Sequence, residues 1–140
     1  MVDLNEYFGA KTIISAKSAK QEIKFLKKKA NLKIKNKEIQ EAIGIYKNAI
    51  VIATNWDLTG EIIEVEDLIR LSQIEGLKDL KILFENEANL AKNKYDYQTA
   101  AEKYNQASKV ATEIFKLGVT EMTKEVKRLM MKSKELEKLI

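Results

Sequence analysis

The chain has no cysteine, no histidine and no proline, and only five glycines in 140 residues. Without cysteine there is no disulfide and no thiol chemistry. Without histidine the commonest general base and the commonest transition-metal ligand are missing. A ferritin-like di-metal bundle needs a Glu-x-x-His pair on two helices and is excluded. No glycine-rich phosphate loop is present. The longest purely apolar run, Ala49–Ala53, is far too short to span a bilayer. No basic stretch followed by an apolar core opens the sequence, so a cytoplasmic location is expected. Neither enzymatic activity nor a cofactor or metal is expected.

What is present is apolar and charged residues in helical spacing. The composition is 45% apolar and 33% charged, which fits a soluble, helix-rich protein. Strand-type alternation is scarce, so the expected fold class is all-α. The length allows one compact domain or two small ones.

The chain also repeats itself. Residues Ala30–Thr54 and Ala88–Thr112 align without a gap at an offset of 58, with nine of 25 positions identical. Chance predicts about two identities for helices of this composition, and self-similarity at a fixed offset marks repeat architecture. Two tandem three-helix units stacked as an α–α superhelix are therefore expected, as one continuous domain. An N-terminal segment (1–17) packs on the first repeat (18–75), and the second repeat covers 76–140.

Within this frame glycine is read as punctuation. Gly9, Gly60, Gly76 and Gly118 each follow a helical pattern and are expected to end a helix. Capping boxes at Asp3–Glu6 and Ser18–Gln21 predict a short helix over 3–8 and a long one from Ser15–Ser18 to Lys35. Further helices are expected over 38–55, 60–75, 77–94, 97–117 and 120–139. The first long helix carries one apolar strip with Ala19, Ile23, Leu26 and Ala30. A second strip, Phe25 and Leu32, maps onto Leu83 and Leu90, and both strips are expected to touch neighbouring helices. Ala42, Tyr46, Ala49 and Ala53, with Ala100, Tyr104, Ala107 and Ala111, read as faces where helices approach closely.

The string Tyr95-Asp96-Tyr97-Gln98-Thr99-Ala100-Ala101-Glu102-Lys103-Tyr104-Asn105-Gln106-Ala107 resembles a tetratricopeptide hairpin, with its Gly-Asp-Tyr-like turn and Ala-x-x-x-Tyr-x-x-Ala second helix. The first copy keeps Ala42, Tyr46 and Ala49 but has Lys37-Glu38-Ile39 at the turn. The period of 58 with three helices departs from the family's 34 with two. It is closer to the microtubule-interacting and transport (MIT) domain, whose third helix ends in a run similar to Lys127–Leu136. The resemblance implies a protein–protein module with a peptide groove beside the last helix. That groove would use Met122, Val126, Leu129 and Met130, with Lys127 and Lys134 at its rim. The same four apolar positions, at i, i+4, i+7 and i+8, also suit a stripe facing the core.

Two features differ between the copies. Residues 20–37 hold eight lysines and one glutamate, and Lys20, Lys24, Lys28 and Lys35 form one basic stripe. Their second-copy equivalents are Lys78, Ile82, Asn86 and Asn93. Ile43, Ile45, Ile50, Val51 and Ile52 stand where the second copy has Ala101, Lys103, Ser108, Lys109 and Val110, so the helix over 38–55 is apolar on more of its circumference, and Ile45, Ile52 and Trp56 need cover from the N-terminal segment (Leu4, Tyr7, Phe8, Ile13, Ile14), a second subunit or a partner. Glu61, Glu64 and Asp67 spiral around their helix rather than converge. The expected function is a non-enzymatic scaffold or adaptor binding a helical or extended segment of a partner protein. The alternative is a basic surface contacting anionic membrane or nucleic acid through the lysine stripe. The sequence leaves the oligomeric state open.

Overall fold

The computed structural model describes residues 15–140. Among the described residues there are five α-helices and no strand: α1 (Ala16–Lys35), α2 (Ile39–Asn55), α3 (Thr59–Asn93), α4 (Tyr97–Lys116) and α5 (Met122–Glu137). The all-α expectation is met. None of these helices is long and apolar enough to cross a membrane. The short helix expected over 3–8, and the cover expected from Leu4, Tyr7, Phe8, Ile13 and Ile14, lie outside the described residues.

Polar side chains start two of the helices. Ser15 is extended, and its hydroxyl oxygen accepts the Ser18 amide at 3.1 Å, which satisfies one of the donors left free at a helix start. Asp96 does the same for α4, accepting the Thr99 amide at 3.2 Å.

Among the described glycines expected to end a helix, Gly118 does so and Gly60 and Gly76 do not. Gly60 lies in the first turn of α3 and Gly76 in its interior, so the two helices expected over 60–75 and 77–94 are one helix of 35 residues. A helical glycine costs about 1 kcal/mol. That is too little to break a run with good helix formers on both sides and no proline to end it. The turns are made instead by Lys37, Asp57 and Tyr95, at φ 64°, 52° and 62°, and by Gly118 at φ 104°. Each closes with a pair of backbone bonds that caps the preceding carbonyls. Lys37 donates to the Ile34 carbonyl and Glu38 to Lys33; Tyr95 donates to Lys92 and Asp96 to Ala91. These two turns match residue for residue at the offset of 58. The other two are also alike: Asp57 donates to Thr54 and Leu58 to Ala53, while Gly118 donates to Phe115 and Val119 to Ile114. Their spacing is three residues longer because α4 has 20 residues and α2 has 17.

The chain divides into two compact units at Gln73/Ile74, two residues before the expected boundary, and α3 supplies residues to both. In the first unit Ala19, Ile23, Leu26 and Ala30 of α1 share a core with Ala42, Tyr46, Ala49 and Ala53 of α2. Ile52 and Val65 complete it, and Ile45, Trp56, Ile62, Leu68 and Ile69 pack around them. Part of the cover for the apolar side of α2 therefore comes from the first half of α3. In the second unit Ala88, Ala100, Tyr104, Ala107, Ala111, Leu129 and Leu136 form the main core, beside a smaller cluster of Ile74, Val110 and Ile114. The six repeat-matched alanines of α2 and α4 all have 0% exposure.

Two substitutions at these alanines and one at a glycine should move stability in opposite directions. Ala49→Leu and Ala107→Leu should each destabilise by about 1–3 kcal/mol, because overpacking a close helix contact forces strain. Gly44 sits inside α2, and a Cβ added there meets nothing within 4 Å. Gly44→Ala should therefore stabilise by roughly 0.5–1 kcal/mol. Urea melts check both signs. Alanine variants that melt with wild type would place those faces at the surface.

Candidate interaction surface

Many charged groups are engaged within the fold. Lys81 is only 8% exposed, and its ammonium lies 2.8 Å from Glu85 on α3 and 3.4 Å from Glu125 on α5. Arg128 on α5 reaches both of those carboxylates. Four alternating charges thus form a closed ring between α3 and α5. Burial pushes the Glu85 carboxyl up, but bonds from Lys81 and Arg128 outweigh it and hold it below its usual range. Arg128, helped by Lys81, holds Glu125 below its usual range against a smaller effect of burial. In turn the two carboxylates, Glu125 first, raise the guanidinium pKa of Arg128.

The acidic residues of the first unit are similarly placed. Lys27 of α1 lies 2.7 Å from Glu64 and 3.6 Å from Glu61. Asp67 pairs with Arg70 at 2.9 Å. Among the described residues no three acidic side chains gather as metal ligands. The buried Ser133 hydroxyl donates to the Ala101 carbonyl at 2.8 Å, and Tyr104 donates to Asn89 Oδ1.

The four apolar residues expected to line a groove on α5 are divided by the fold. Leu129 is fully buried in the second core, so it is not an available anchor. Met122 and Val126 are half-buried against the same core. Met130 is exposed, as are the rim residues Lys127 and Lys134. The stripe faces inward because its central leucine completes the alanine-rich core. Nearby, Lys92, Tyr104, Lys132, Glu135, Leu136 and Leu139 line a hollow of about 160 Å³, with the Lys132 ammonium 5.3 Å from the Tyr104 ring centre. Small-molecule sites usually start near 300 Å³, so this hollow is undersized for one.

The basic stripe stands clear of the fold. Lys20, Lys24, Lys28 and Lys35 are all exposed, as are Lys17 and Lys29. The only acidic residue of α1 is Glu22, which is buried.

Sequence reasoning missed an exposed apolar face in the second unit. Leu83 and Leu90 were expected to touch a neighbouring helix, yet they are 51% and 60% exposed, and Ile82 beside them is 53% exposed. Asn86 and Asn93 are exposed on the same outer face of α3. From residue 82 to 93 this face presents isoleucine, leucine and asparagine, in a chain one-third charged. The signal was available: Leu83 and Leu90 form a second apolar strip on the outer side of the helix.

No family model, no curated protein and no solved structure matches the chain.

The charged ring makes stability sensitive to acid. Glu85 and Glu125 have lower pKa values folded than unfolded, where a glutamate titrates near about 4.3. Their contribution is fully present above that value and is lost as pH falls through their folded values. The melting temperature should hold steady at mildly acidic pH and decline below about pH 4.3. In Glu85→Gln/Glu125→Gln the protein should be less stable at neutral pH and its acid-dependent decline shallower. Equal slopes for wild type and variant would remove the ring as the source.

Proposed function

We propose that this chain is a non-enzymatic scaffold that binds a helical or extended segment of a partner protein. The observation that carries this reading is the uncharged outer face of α3, with Ile82, Leu83 and Leu90 exposed among asparagines. Three large apolar side chains exposed within nine residues of one helix suit an interaction site. Its i, i+7 leucines suit side-by-side packing with another helix. Exposed Met130, with Lys127 and Lys134 near it on α5, supplies a second, adaptable edge.

The architecture supports the same reading. Matched turns at Lys37 and Tyr95, and matched burial of Tyr46 with Tyr104, favour two copies of a tetratricopeptide-like or MIT-like three-helix unit. In that reading α3 serves as the last helix of one copy and the first of the next.

Selection of binders from a displayed random-peptide library tests the surface. Recovered peptides should lose at least tenfold in affinity against Leu83→Ser/Leu90→Ser, since burying one leucine is worth roughly 1.5–3 kcal/mol. They should be indifferent to Lys24→Gln. Peptides that ignore the leucine variant and respond instead to Met130→Asp would move the site to α5.

A further inference from the structure

A separate observation concerns α1. Lys17, Lys20, Lys24, Lys28, Lys29 and Lys35 are all exposed, and none is ion-paired with a described residue. By contrast Lys27 and Lys33, on the same helix, are paired with glutamates of α3 and α2 and its N-cap. So α1 sorts its lysines: those facing the unit are neutralised, and those facing outward are not. No acidic side chain interrupts the outer face, because Glu22 is buried.

Two large apolar side chains stand within this basic face. Phe25 is 54% exposed and Leu32 is 59% exposed. They are seven residues apart, two helical turns, and so lie on one line along the helix. Lys24 and Lys28 flank that line on one side and Lys29 on the other. At the start of α1 an open hollow of about 420 Å³ is lined by Lys17, Lys20, Gln21 and Lys24. The second unit keeps the exposed apolar pair as Leu83 and Leu90, but has Ile82, Asn86 and Glu87 where α1 has Lys24, Lys28 and Lys29. The lysines are thus a property of α1 and not a requirement of a helix in this position.

We propose that the outer face of α1 docks on an anionic lipid bilayer, with its lysines among the headgroups and Phe25 and Leu32 at the acyl boundary. Charge complementarity selects an anionic surface. The apolar line selects lipid among such surfaces, because a phosphate backbone offers leucine nothing to bury against, whereas an interfacial helix buries such residues between snorkelling lysines. The face lacks arginine, which nucleic-acid readers favour for its planar fork.

Co-sedimentation with phosphatidylcholine vesicles, with and without phosphatidylserine, tests the proposal on the full chain. Binding should require phosphatidylserine and weaken as salt rises. Each juxtamembrane lysine contributes roughly a fivefold factor, so Lys24→Gln/Lys28→Gln should weaken binding by about 25-fold. Leu32→Ser should weaken it by about tenfold while leaving the salt response unchanged. All these side chains are exposed, so the variants should keep wild-type melting temperatures, which verifies that folding is intact. Equal binding to neutral vesicles, or none to anionic ones, overturns the proposal. So does tighter binding to DNA or to poly-glutamate than to anionic vesicles, or a Leu32→Ser variant that binds like wild type.

Discussion

Close approach of helices across alanine is the constraint on which each unit depends. Ala42, Ala49 and Ala53 of α2, and Ala100, Ala107 and Ala111 of α4, are wholly enclosed. Small residues at this spacing let helix axes come to the short end of their usual separation. One tyrosine in each set, Tyr46 or Tyr104, fills the remaining volume, and Tyr104 satisfies its hydroxyl on Asn89. Larger side chains such as Ile23, Ile52, Ile114 and Leu129 fill the core around these alanine contacts. Polar links then fix the arrangement: Lys27 to the glutamates of α3 in one unit, and the Lys81–Glu85–Arg128–Glu125 ring in the other.

Leu129 is drawn into the alanine core and leaves α5 with only Met130 and Met131 exposed among its large apolar residues. The outer faces of α1 and of the later half of α3 each carry a pair of large apolar residues that are about half exposed. They differ in what surrounds the pair. Lysines ring Phe25 and Leu32, which favours an anionic plane. Asparagines lie beside Leu83 and Leu90, which favours a protein segment. A scaffold that meets a membrane with one face and a partner with another would use the two units for different tasks.

Much of the fold was legible because it rests on local pattern. The 3.6-residue spacing placed four of the five described helices to within about three residues but split α3 at Gly76, and the self-similarity at an offset of 58 singled out the alanine and tyrosine faces. The cap of α1 is Ser15, three residues before the capping box expected at Ser18–Gln21, and Asp96, read only as part of a turn, caps α4. The break expected at Gly76 was misread because glycine was weighted too heavily there. A left-handed turn tolerates Lys37, Asp57 or Tyr95 at modest cost when two backbone bonds close it, and nothing in their identity signals that. Conversely, Gly76 is absorbed by the cooperativity of the long helix around it. The candidate site was legible only in part. The lysine stripe is exposed as its spacing suggested. The groove on α5 was not distinguishable from a core stripe, since both have the same period, and the exposed leucines of α3 were assigned a neighbour that the fold does not supply.

Amide hydrogen exchange on the full chain, with and without a saturating library-selected peptide, tests the central claim most directly. Added protection over residues 82–93, with α5 unchanged, is the expected result. Protection confined to residues 122–137, with the outer face of α3 exchanging as in the free protein, would contradict it.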